Sequence, residues 1–279
     1  MSGLGWPPIA TLGHADAPGL LALSKSVGWP HSSEDWAAIL EAGQVFGHRG
    51  AAGAPMSSAA LFDYGAALVS LGMVLVAPSH RRRGLARAVM EHCLRLAAPR
   101  PMTLIATPQG EPLYVGLGFV EVERVHRMVG QGALNGDRLP PIAQIDADAV
   151  ARLDHAAFGA DRRALLRILL ARAAATAVVR DAHGRARAFG IATRQRDQLV
   201  VGPLIATDTA DAAALFQSLT ADVPDPVRID VPVRQGEFLA SLAGFGLRAA
   251  GDAPIMLHGA HEMPGRRNGI YAIAVRAFG

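Results

Sequence analysis

Apolar residues along the chain fall into alternating helix-like and strand-like periods, and the order of these segments repeats once. Residues 8–13 read as a short strand, and 17–27 and 33–42 as helices. Runs at 44–49, 58–66 and 68–77 read as strands, and a basic turn follows. Beyond it Leu85, Ala86, Val89, Met90, Cys93, Leu94 and Ala97 recur at helical spacing, with Arg87, Glu91 and Arg95 on other faces. A strand at 102–107, a short helix around Leu113 and Tyr114, and a strand through Met128 complete the first half. The second half runs in the same order: a strand-like 142–146, helices at 149–158 and 162–172, and strands at 176–180, 187–194 and 199–206. A helix at 210–220, a strand at 227–233, a helix at 236–243 and a run from Gly244-Phe245 to Met256 follow. Gly118-Phe119 and Gly244-Phe245, like Met128 and Met256, stand 126 to 128 residues apart. Gly, Asn, Asp and Pro between 130 and 141 mark a linker, and residues 269–275 read as one more strand completing the second sheet. The pattern predicts two copies of one α/β unit, residues 1–130 and 142–279.

Composition narrows the class. Of 279 residues, 51% are hydrophobic and 18% charged, enough apolar surface for a sizeable core and too little charge for general disorder. Lys25 is the only lysine, so the net charge of +3 comes from arginines interspersed with acids. No basic stripe with interleaved aromatics points to nucleic acid. The longest apolar run, 65–78, is too short to span a bilayer, and the N-terminus lacks a basic region followed by an apolar block. A cytoplasmic protein without membrane partners is expected. Cys93 is the one cysteine and lies on an apolar helix face, which excludes a disulfide framework.

The densest chemistry lies at 74–94. Val74, Leu75, Val76 and Ala77 form a strand that Pro78 closes, and the helix opens directly after Arg81-Arg82-Arg83-Gly84-Leu85-Ala86. A helix start presents unpaired N–H groups and the positive end of its dipole, and small Gly84 and Ala86 let a pyrophosphate approach the backbone. The same residues also suit a solvated turn before a core helix. The dinucleotide fingerprint with three spaced glycines and the Walker turn ending in Gly-Lys-Ser/Thr are both missing.

Arg81-x-x-Gly84-x-Ala86, preceded by Val74-x-Val76-x-Pro78, resembles motif A of the GNAT N-acetyltransferase superfamily. About 28 residues past Gly84, Glu111-Pro-Leu-Tyr-Val-Gly-Leu-Gly-Phe119 is similar to motif B of that family. The resemblance implies an α/β (α+β) fold of two tandem GNAT-like domains, each a mixed, mostly antiparallel twisted sheet flanked by helices. It implies acetyl-CoA as acyl donor and no metal. The turn at Arg81, Arg82, Arg83, Gly84, Leu85 and Ala86 would then bind the pyrophosphate, and the strand at Val74, Leu75 and Val76 the pantetheine arm. Tyr114 would protonate the leaving thiolate, a role open to a phenol that is both donor and acceptor; an ordinary core tyrosine is the alternative. A primary amine of a small molecule or peptide is the implied acceptor, and the protein would be a monomer or homodimer.

The second copy departs from that pattern. Its turn, Ala206-Thr-Asp-Thr-Ala-Asp211, lacks the arginine–glycine motif and carries Asp208 and Asp211 where a pyrophosphate would sit. Thr207 or Asp208 suits a helix N-cap instead. Phe238-Leu-Ala-Ser-Leu242 stands at the tyrosine position. Phe158-Gly-Ala-Asp-Arg-Arg-Ala-Leu-Leu166 resembles a segment of the diverged C-terminal copy of certain bacterial tandem GNAT proteins, and Asp161 is placed to cap the helix after it. This copy is expected to wall the acceptor cleft of the first.

In the superfamily the first two helices and their loop often line the acceptor site, which makes Trp29 and His31 candidates for substrate contact. Ser32 or Ser33 as a cap, an acidic Glu34-Asp35 pair at the helix start and a core Trp36 are the structural alternative. No carboxylate stands at Ser70, Leu71 or Gly72, so no general base is assigned. His258 and His261-Glu262 lack metalloprotease spacing, and Ser79-His80 has no geometry for a nucleophile and base. Two rival readings stand beside the enzyme: a non-catalytic acyl-CoA-binding regulator, and a scaffold of two degenerate copies.

Overall fold

In the computed structural model the described residues are 7–132 and 137–278. Residues 133–136 of the expected linker lie outside them. The first half contains β1 (Ala10–Leu12), α1 (Ala17–Ser26), α2 (Ser33–Ala42), β2 (Gln44–Gly47), β3 (Ser57–Asp63) and β4 (Val69–Val76). It continues with α3 (Leu85–Ala97), β5 (Met102–Ile105), α4 (Glu111–Val115) and β6 (Val120–Gly130). The second half contains α5 (Ala147–Phe158), α6 (Arg163–Ala171), β7 (Ala173–Arg180), β8 (Ala186–Gln195), β9 (Gln198–Ile205) and α7 (Thr209–Thr220). Then come β10 (Val227–Pro232), α8 (Gly236–Gly244), β11 (Arg248–His258) and β12 (Ile270–Ala272).

Local chemistry sets the helix starts. The Ser32 hydroxyl accepts from the Asp35 amide and the Asp35 carboxylate accepts from the Ser32 amide, a reciprocal cap that opens α2. Asp208 accepts from the Asp211 amide at 2.8 Å and opens α7. The expected strand at 142–146 is instead a 3-10 turn at Gln144–Asp146. There Asp146 accepts from the Ala143 amide and from both terminal nitrogens of Arg180, which holds the chain in a turn with Ile145 outside. The first copy has the same device: Asp16 accepts from the Gly13 amide and pairs with Arg49.

The strands form one mixed sheet in the order β1-β2-β3-β4-β5-β11-β6-β10-β9-β8-β7, with β12 added to β9. Most neighbours are antiparallel; β4–β5 and β9–β10 are parallel. The halves exchange strands, because β11 of the second inserts between β5 and β6 of the first, and β6 pairs with β10. On one face α3 covers Leu61, Val69, Leu71 and Met102, and α7 covers the equivalent surface of the second copy. On the opposite face one core joins both halves, with Leu20, Trp36 and Phe62 packed in the same cluster as Leu165, Phe189 and Ile205. A buried ion pair, Arg162 to Asp154 at 2.5 and 3.0 Å, lies at the edge of that core, and the guanidinium stacks over Phe158 at 3.8 Å. Asp161 accepts from the Arg163 amide at the start of α6.

The closing segment differs from the expected strand at 269–275. Only Ile270–Ala272 pair with β9; the chain then crosses into the first half. Ile273 donates its amide to the Asp230 carbonyl, Tyr64 donates its hydroxyl to the Phe278 carbonyl at 2.8 Å, and Phe278 meets Phe62 edge to face. This tail passes directly over two glycines. A side chain on Gly202 of β9 would collide with the Ile273 carbonyl, and one on Gly72 of β4 with the Ala277 carbonyl.

Candidate active site

The two copies can be superposed along their parallel strand pairs. β4 pairs with β5 over Val69, Ser70 and Leu71 and then diverges; β9 pairs with β10 over Leu199, Val200 and Val201 and then diverges. The next residue is Gly72 in one and Gly202 in the other. Beyond these glycines the copies differ. In the second, β12 fills the freed edge of β9, pairing at Leu204 and Ile205, and the Ala206 amide donates to Gly269. In the first, β3 holds one edge of β4 out to Val76, and no strand among the described residues pairs with the other edge past Leu71. Met73, at φ 52°, marks an irregularity where the register of β3 and β4 shifts. A ligand with alternating donors and acceptors fits that free edge, where Val74 and Val76 are half-buried and Leu75 is turned into the shared core.

The open edge leads to the basic turn. Arg81, Arg82, Arg83 and Gly84 are exposed, and Arg81 donates to the Val76 carbonyl. Gly84 caps α3 in the left-handed region at φ 85°, with open space where a side chain would project. Arg82 is also left-handed, at φ 58°. Leu85 is buried and anchors the first turn, while Ala86 is half-buried. The first amides of α3 therefore face an open basic surface, a geometry that suits a diphosphate. At the corresponding point of the second copy the Asp208 carboxylate takes the place of an anion on the helix amides.

Tyr114 sits on α4 beside α3, packed edge to face on Phe119, with the Gly110 backbone close under its ring. Burial pushes its phenol up to about 12. It is thus a proton donor at neutral pH. Cys93 is fully buried under α3 and its thiol is likewise pushed up to about 12, which makes it a packing residue.

On the other face of the sheet, His31 in the α1–α2 loop lies between Trp29 of the loop and Trp36 of α2, its ring tilted against each at centroid distances of 5.7 and 6.2 Å. Both structural alternatives for this loop are also present, since Ser32 caps α2 and Trp36 is buried, its indole donating to Ser24. His31 lines a small cavity with Asp35, Arg172, Thr193, Gln195 and Ala277, so both halves and the tail contribute to it. Its volume, about 20 Å³, has room for roughly one water. The Nδ1 of His31 is buried there without a hydrogen-bond partner, and burial lowers the ring's pKa below the usual imidazole value. Trp29 packs on His31 and is not among the cavity walls. Among the described residues no group of three or more His, Cys, Asp or Glu is placed to hold a metal, and no helix is long and apolar enough to cross a membrane.

Sequence reasoning missed Gly72 and the tail. The signal was present: an isolated glycine inside an apolar strand marks close backbone approach, and it recurs 130 residues later at Gly202.

These features define a tandem acetyltransferase, and comparison with known proteins agrees. The family description "Acetyltransferase (GNAT) domain" matches twice, at residues 37–132 and 150–272. The chain belongs to the GNAT acetyltransferases and carries two such domains. It is 28% identical over 268 residues to the uncharacterized N-acetyltransferase YitH of Bacillus subtilis, covering 94% of each chain. A crystal structure of a Pyrococcus horikoshii protein classed as an acetyltransferase superposes with a TM-score of 0.82 at 19% identity, over 100% of this chain and 98% of that one. A tandem GNAT protein from the clavulanic acid biosynthesis pathway gives a TM-score of 0.64 at 16% identity, over 90% and 97%. The structural likenesses establish the fold.

Proposed function

We propose that this protein transfers an acetyl group from acetyl-CoA to a primary amine of a small molecule or peptide, and that only the first copy performs the reaction. The open edge of β4 carries this reading, because the same edge in the second copy is filled by β12. The amides that open α3, together with Arg81, Arg82 and Arg83, hold the diphosphate, and the backbone groups of Val74 and Val76 on the open edge of β4 align the pantetheine arm. The amine approaches from the face carrying α1, α2 and the tail.

Transfer is direct, within a ternary complex. The neutral amine attacks the thioester carbonyl, the C–N bond forms as the C–S bond breaks, and the Tyr114 hydroxyl gives its proton to the departing thiolate. The proton shed by the acylated nitrogen passes through solvent and restores the phenol. With its pKa pushed up to about 12, the phenol is protonated at neutral pH, so a proton is at hand as the thiolate develops. Much of the acceleration comes from holding two reactants at attack distance. His31 and Trp29 border the amine's approach. The unpartnered Nδ1 of His31, neutral at pH 7, faces a space that admits an ammonium-sized group.

Calorimetry with acetyl-CoA and thiol release from a panel of amines test the reading together. One acetyl-CoA per chain with amine-dependent thiol release is expected. Binding without release from any amine would favour the regulatory rival, and no binding would favour the scaffold.

A further inference from the structure

The cavity beside His31 lies against the point where the acetyl group is proposed to be transferred. Ala277 is one of its walls, and the Ala277 carbonyl sits on Gly72, the first residue of β4 past its pairing with β5. Four of the walls, His31, Arg172, Gln195 and Ala277, are only half-buried, so the cavity has a mouth towards solvent, while buried Leu169 and Phe278 make its inner part apolar. At about 20 Å³ it has room for one amino group and not for the carbon chain behind it.

The groups around the ring suit a neutral nitrogen and not a charged one. With its proton on Nε2, His31 presents Nδ1, a buried acceptor without a partner. Both oxygens of Asp35, on α2, are engaged: Oδ1 accepts from Arg172 Nη2 at 2.9 Å and Oδ2 from the Ser32 amide at 3.0 Å. Arg172, just after α6, also balances the charge of that carboxylate. Arg228 of β10 and Arg196 of the β8–β9 turn add positive charge, and Arg276 of the tail is turned to Asp230. Thr193 and Gln195 of β8 line the cavity and carry no charge. An ammonium brought here would lose its hydration and find no carboxylate to itself, a cost that the neutral amine avoids. The imidazole responds to the same surroundings. Burial is the main reason that its pKa is lowered; Asp35 acts the other way, and Arg228 and Arg196 reinforce burial.

We infer that His31 orients the acceptor nitrogen by taking one N–H of the neutral amine on Nδ1, and that the cavity turns away the ammonium form. The substrate class is then a weakly basic primary amine, such as the α-amine of a peptide or an amino-acid amide, in preference to an alkylammonium such as a lysine side chain. This rests on the acyl-transfer reading above. The amine gives its extra proton to water before it enters. Because the nitrogen donates to His31 and accepts nothing there, its lone pair is left for the thioester carbonyl.

Calorimetry of the coenzyme A-bound protein with glycinamide and with n-propylamine provides the test. Their basicities follow those of a peptide α-amine and a lysine side chain, about 8 and about 10.4. At pH 7 glycinamide should bind about tenfold more tightly or better, and the gap should close as pH rises towards the basicity of the alkylamine. Titrations in buffers of different ionisation heat should show about one proton released for each amine bound, as selection of the neutral form requires. H31L should lose roughly tenfold in affinity for glycinamide, and H31N, which keeps an acceptor near the Nδ1 position, should restore most of it. Acetyl-CoA affinity should hold in both variants. Binding without proton release, equal or tighter binding of n-propylamine at pH 7, unchanged affinity in H31L, or no binding of either amine would overturn the inference. Acetyl transfer itself is decided separately, by thiol release from the amine panel.

Discussion

The carbonyl oxygen of Ala277 occupies the space in which a side chain on Gly72 would begin. The contact joins the last residues of the chain to the strand on which the acetyl group is proposed to be transferred. Any residue larger than glycine must push the tail off the sheet or bend β4. G72A should therefore destabilise the protein by about 2–3 kcal/mol, as overpacked core positions do. Thermal unfolding measures this, and an unchanged midpoint would show that the tail yields without cost.

Gly84 tests the diphosphate cradle. Open space lies where a side chain would project, but the left-handed backbone at φ 85° strains any side chain there, a β-branched one most. G84V should weaken acetyl-CoA binding by roughly tenfold or more through distortion of the helix start. Calorimetry reads this, and the amine panel should show the change in KM for acetyl-CoA and not for the amine.

Tyr114 separates chemistry from binding. Y114F removes one hydroxyl and leaves the packing on Phe119 intact. Loss of general-acid assistance should lower kcat by roughly a hundredfold with coenzyme affinity kept. Equal kcat in the two proteins would return Tyr114 to the role of an ordinary core residue.

The Arg162–Asp154 pair is shut away from water, at 2% and 1% exposure. Removing one partner strands the other charge, so D154A should cost about 3–5 kcal/mol. A double change of Asp154 and Arg162 to apolar residues should recover much of that loss in chemical denaturation.

Acid should destabilise the fold in two stages. His48 and His31 are both held below the usual imidazole value of 6.5 chiefly by burial. Below 6.5 the unfolded chain takes up protons that the folded chain refuses, so stability is full above that pH and falls as pH drops through it. Asp16 and Asp146 have lowered values through Arg49 and Arg180, and their contribution is lost only as pH falls below the ordinary carboxylate range. Replacing His48 by Gln should shrink the first stage, which His31 then carries, and leave the second.

Much of the architecture could be read from local patterning. Ser33–Ala42 matched its predicted bounds, and the repeat, the arginine turn and Asp208 as a cap were legible because each depends on neighbours in sequence. The turn at Gln144–Asp146 was misread as a strand, since its apolar Ile142 and Ile145 suggest burial while Arg180, distant in sequence, decides the shape. The exchange of β6 and β11 was invisible for a related reason: each strand suits either half, and only tertiary pairing assigns it. The ion pairs that Arg127, Arg228 and Arg276 make with the buried Asp230 draw on three remote segments, and no spacing rule links them.

Because β11 completes the sheet beside β5, and Ala277 lies across Gly72, the first half lacks neighbours it needs until the second half has been made. A ribosome that has released only residues 1–130 holds a chain with an unpaired β5 edge and an uncovered apolar face. The half proposed to carry out the transfer is made before the other and is completed by it.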